Sequence, residues 1–122
     1  MTVMNELTND AKFLLSSMYA EYLNRRKEEI SKEEARNFQG IDSIKKDIMP
    51  EWSEKDILDT CFELKRHGYI NGIAGNDTLF LISLTTEAIA ALEIEFKEPT
   101  LKERIESVLD FAAKIKAVIP FS

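Results

Sequence analysis

Leu7, Ala11, Leu14, Leu15, Met18 and Tyr22 recur at three- and four-residue steps, which predicts a first helix from about Thr8 to Arg26. The "EEI" at 28–30 offers a short strand. Ser31 with Glu34 three residues on is a capping box and opens a short helix through Phe38, stopped by Gly40. Ile41, Ile44 and Ile48 add a turn or two before Pro50. Ser53 caps the next helix, and Gly68 sits at its C-terminal stop. Tyr69, Ile70 and Ile73 begin a strand, "AGND" turns it, and "TLFLISL" returns. Leu84 and Thr85 form a staple and cap for a helix that buries Ala88, Ile89, Leu92 and Phe96 and ends before Pro99. Thr100 with Glu103 caps a last helix to about Val118. The predicted order is helix, short strand, helix, helix, hairpin, helix, helix.

Composition narrows this little. The 122 residues fit one domain, with 44% hydrophobic and 31% charged residues. The net charge of -6 gives no general attraction to nucleic acid or anionic membrane. A single cysteine, Cys61, excludes an intrachain disulfide. The start, "MTVMNELTNDAK", lacks a basic stretch followed by an apolar run, and no apolar stretch approaches the roughly 20 residues of a membrane span. The expectation is a cytoplasmic protein, in which the glycosylation triplet Asn76-Asp77-Thr78 has no role.

Three phrases carry a resemblance. "EISKEEARNF" is like a short strand and second helix, and "SEKDILDTCFELKRHGYI" is like a third helix running into a wing. "LFLISLTTEAIAALE" looks like the second wing strand and the helix behind it. Together they resemble the winged-helix group of helix-turn-helix proteins, as in MarR-type and PadR-type regulators and the small YjcQ-like proteins of Gram-positive bacteria and prophages. The resemblance covers residues 8–97 and implies a mostly helical α+β fold with a two-stranded wing, plus an extra C-terminal helix over 100–119. It departs from the pattern in the long connection from Gln39 to Trp52, where a tight turn is the rule. It also implies a transcriptional regulator whose third helix reads duplex DNA.

The charges on that third helix cut against DNA reading. At about 100° per residue, Ile57, Leu58, Cys61, Phe62 and Leu64 share one face, opposite Asp56, Asp59 and Glu63. Lys55 and Arg66 lie along one flank, Thr60 and His67 along the other. Carboxylates can accept from cytosine, but phosphate repulsion then needs basic residues elsewhere. The wing supplies none, since 69–86 contains no Lys or Arg. Candidate DNA contacts are therefore Lys55, Thr60 and Arg66 on the helix, with Arg25, Arg26, Lys32 and Lys46 on phosphates. The alternative is an acidic protein-interaction module that docks on a basic partner. On that reading Glu54 and Asp56 complement the helix dipole, and Lys55–Asp59 and Glu63–His67 are solvated i,i+4 pairs.

No catalytic, cofactor or metal motif stands out. His67 reads as a helix cap, Cys61 as a buried thiol and Trp52 as a core plug. The last helix places Leu101, Ile105, Val108, Ala112, Ile115 and Ile119 at steps of 4, 3, 4, 3 and 4, with Phe111 and Val118 as a second strip. That seam either packs on the body of the domain or joins two subunits.

Overall fold

The computed structural model describes residues 3–119. After a single 3-10 turn at Val3–Glu6, the elements are α1 (Asn9–Lys27), α2 (Lys32–Ala35), β1 (Asn37–Gln39), α3 (Ile41–Asp47), α4 (Glu54–Arg66), β2 (Ile70–Gly75), β3 (Thr78–Leu84), α5 (Thr86–Glu95) and α6 (Leu101–Lys116). The class is α+β, with six helices and one three-stranded antiparallel sheet among the described residues.

Helix α1 is the spine. Thr8 caps it, accepting from the Ala11 N–H at 3.2 Å. Leu14, Leu15, Met18 and Tyr19 are all fully buried, so more than one face of the helix is covered. Helix α6 packs against it most extensively, and α4 and α2 take other sides. Ser16 is buried as well, and its hydroxyl is satisfied by donating to the Lys12 carbonyl at 2.7 Å.

The sheet has the order β1-β3-β2. Asn76 and Asp77, at φ 51° and 60°, make the two-residue turn of the β2–β3 hairpin, the mirror-image turn that suits strand twist. Two register shifts bend the sheet: one on β1 between Asn37 and Gln39, the other on β3, where Leu81 takes φ 54° opposite Gly72. Gly72 is required there, because a Cβ would lie 2.8 Å from Leu79 Cγ.

Two sequence expectations are corrected here. Residues 28–30 are a turn, since Glu29 takes φ 65° and Ile30 donates its N–H back to the Arg25 carbonyl at 3.0 Å. The helix expected through Phe38 stops at Ala35, because Asn37 and Gln39 pair with Ser83 and Ile82 and Phe38 is buried. The turn or two expected from Ile41, Ile44 and Ile48 forms as α3, so only residues 48–53 separate it from α4. Lys45 pins that link by donating to the carbonyls of Pro50 and Trp52. Trp52 is buried and tilts against Phe13 at 6.0 Å, a core plug as expected.

The last two helices close the body. Thr85 caps α5, accepting from Ala88 N–H at 3.0 Å and donating to the Gly68 carbonyl at 2.8 Å. Leu84 and Ile89 are buried together as its staple. Thr100 caps α6, with the Glu103 carboxylate accepting from its hydroxyl at 2.8 Å. The seam offered above as a subunit interface packs inside the chain. Val108, Ala112 and Ile119 are buried, and Ile105 and Ile115 are half-buried against the core, while Leu101 lies at the edge. Phe111 meets Phe96 edge-on at 5.7 Å. The physical reason is α1, whose second apolar face needs α6 as its cover. No helix among the described residues is long and apolar enough to cross a membrane.

Candidate functional site

Helix α4 starts at Ser53, whose hydroxyl accepts from Asp56 N–H at 3.1 Å, and ends where Gly68 takes φ 79°. Ile57, Thr60, Cys61 and Leu64 are buried. Three of these were expected on the inner face, but Thr60 was not. Its hydroxyl donates to the Asp56 carbonyl at 2.8 Å and cannot reach a partner outside the protein. Burial pushes the Cys61 thiol up to about 12, so no thiolate forms near neutral pH.

Outside, the helix is acidic, and a neighbour makes it more so. Glu63 turns away from His67 and accepts from both Thr8 N–H, at 2.9 Å, and Thr8 Oγ, at 2.7 Å. This carboxylate therefore anchors the start of α1 to α4. It brings α1's first turn alongside α4, so Asp10 feels Asp56, Glu63 and Asp59. Burial first, and then these three charges, hold the Asp10 carboxyl above the ordinary 3.8. Four acids from two helices thus form one cluster. Among the described residues no group of three or more His, Cys, Asp and Glu has the arrangement to hold a metal ion. Lys55 and Asp59 are both exposed and form no ion pair; the pairs among the described residues are Arg25–Glu21 and Lys116–Glu51.

The structure scatters the basic residues expected at phosphates. Arg25 is committed inside the fold: it pairs with Glu21 at 3.1 Å, donates to the Ala35 and Asn37 carbonyls at 3.1 and 2.8 Å, and lies over the Phe38 ring at 4.7 Å. Arg26 donates to the Ile30 carbonyl at 2.9 Å. Lys32 on α2, Lys46 on α3, and Lys55 and Arg66 on α4 remain exposed. The expected set of seven therefore reduces to four free cations on three different helices.

Between α4 and the hairpin lies an apolar cleft of about 400 Å³ that sequence reading missed. Half-buried Leu58 and Phe62 of α4 face Ala74, Gly75, Asp77 and Thr78 of the hairpin across it. Its sequence signal was present in the width of the apolar face of α4, which exceeds what a single packing contact covers. His67 contributes a ring stacked on Tyr69 at 6.0 Å rather than a partner for Glu63. The chain matches no protein-family model, no curated protein and no solved structure.

Proposed function

We propose that this chain is a winged-helix protein of the docking kind, one that binds a basic protein partner at α4 and does not read duplex DNA with that helix. The element order, with a sheet ordered β1-β3-β2 and a helix pair leading into a hairpin, supports the winged-helix reading. The acid cluster of Asp10, Asp56, Asp59 and Glu63 is the observation that carries the docking reading. A helix entering the major groove would bring these charges against phosphates, while Arg25 and Arg26 are spent on carbonyls within the fold. A basic partner meets the opposite situation: the acids steer it, and the cleft at Leu58 and Phe62 accepts an apolar anchor.

A salt series tests this. Titration of labelled random-sequence duplex from about 50 to 200 mM salt should show no binding, whereas a DNA reader binds at the low end and weakens steeply. A Lys/Arg-rich helical peptide carrying Leu anchors should bind, and Asp56→Asn with Asp59→Asn should weaken it about tenfold. Duplex binding that is lost on replacing Lys55 and Arg66 overturns the proposal.

A further inference from the structure

We propose that the outer edge of the β2–β3 hairpin is a self-association surface, through which two copies of this chain pair their β2 strands. The sheet has two edges, and they are treated differently. The β1 edge is three residues long, and Arg25 covers it by taking the Asn37 carbonyl at 2.8 Å. The β2 edge is six residues long and paired on one side only, to β3. Its sequence, "INGIAG", holds no charge and no proline. Folded proteins ordinarily blunt a strand edge of this kind with lysine or proline, because its free N–H and C=O groups template pairing with another chain. Here the irregularity in the β2–β3 pairing is the bulge on β3 rather than on β2.

The face beside this edge is apolar. Ile73 and Phe80 are cross-strand neighbours and remain 59% and 43% exposed. Leu81 is 60% exposed and stands in the left-handed region at φ 54°. A leucine is disfavoured there, where asparagine or glycine is tolerated. The bulge holds it outward into a cleft of about 700 Å³ that it shares with Ile73 and Tyr69.

Charge selects the occupant. In a chain of net charge -6, two copies meet most easily where the surface carries little charge. Between Gly68 and Thr86 there is one ionisable acid, Asp77, at the tip of the turn, and the two charges bordering the cleft, Lys65 and Glu87, cancel. Antiparallel pairing of a strand with its own copy is also satisfied by a two-fold axis, which closes the assembly at two chains. The product is a six-stranded sheet whose outer face carries Ile73 and Phe80 of both copies side by side.

Light scattering between micromolar and millimolar concentration tests the proposal. The wild type should reach twice the 14.0 kDa chain mass, with little dependence on salt. Ile73→Lys should return it to 14.0 kDa without changing its circular dichroism. Should that variant fold poorly, Leu81→Asn suits the left-handed backbone and should weaken the dimer about tenfold while keeping the fold. Leu109→Lys, on the exposed side of α6, should leave the dimer intact. A wild type at 14.0 kDa throughout overturns the proposal, as does a dimer that survives both hairpin variants or dissolves with Leu109→Lys. None of the α4 acids lines this cleft, so its failure leaves the docking proposal standing.

Discussion

At the scale of single residues, the chain turns charges and hydroxyls that look surface-directed into internal fastenings. Glu63 is the clearest case, since both atoms it accepts from belong to Thr8, far away in the sequence. Glu63→Ala and Thr8→Ala, measured singly and together by urea unfolding, should show a coupling of about 1 kcal/mol. Additive effects would mean that the two residues act independently. Asp10 gives the opposite sign. The folded chain holds its proton more tightly than the unfolded chain, so ionisation costs stability: the cost is absent below the ordinary value of 3.8 and grows as pH rises through the raised folded value. Asp10→Asn should therefore gain on the wild type between about pH 3 and pH 7, by a few tenths of a kcal/mol at a site only partly shielded from water. A difference that does not change with pH would remove the acid cluster from the argument. Cys61, fully buried with its thiol held high, should resist alkylation at neutral pH until the protein is unfolded.

At the scale of elements, the local signals were readable and the remote ones were not. Ser31, Ser53, Thr85 and Thr100 all cap the helices that their positions predicted, because a cap is decided within four residues. The hairpin was legible for the same reason, through Asn76-Asp77 between two apolar runs. β1 was misplaced because its partners, Ser83 and Ile82, lie half the chain away. The role of Arg25 was hidden too, because its acceptors at Ala35 and Asn37 lie 10 and 12 residues on, beyond the turn that ends α1. On α4 the inner face was predicted, but Thr60 sits at its boundary, where a difference of about one residue's turn decides between inside and outside. The hairpin also carries a packing constraint that can be tested directly. Gly72→Ala places a methyl 2.8 Å from Leu79 Cγ, against a side chain that is itself fully buried. The substitution should cost about 1–3 kcal/mol in urea unfolding. An unchanged midpoint would mean that Leu79 has room to move.

At the scale of the whole molecule, α6 decides what kind of object this protein is. If α6 were an appendage, residues 8–97 would hold the core alone and the seam from Leu101 to Ile119 would be available to a second subunit. Instead Val108 is fully buried, Ala112 and Ile119 nearly so, and Phe111 completes an aromatic contact with Phe96 at the end of α5. The neighbouring residue sits at the rim: Leu109 is 52% exposed, in a cleft it shares with Ser17 and Ala20 of α1. Adjacent positions on one helix thus supply a matched pair of substitutions with the same chemistry and different surroundings. Val108→Asp puts an unpaired carboxylate into the α1–α6 core, a cost of about 4 kcal/mol or more, against a total of about 5–15 kcal/mol for an ordinary domain. It should remove the cooperative thermal transition or lower it steeply. Leu109→Asp keeps its carboxylate in contact with water and should cost no more than about 1 kcal/mol. Melting both variants by circular dichroism compares them in one experiment. If Val108→Asp melts with the wild type, α6 is not part of the core, and its apolar seam, spaced at alternating steps of four and three, is free to serve as a subunit interface.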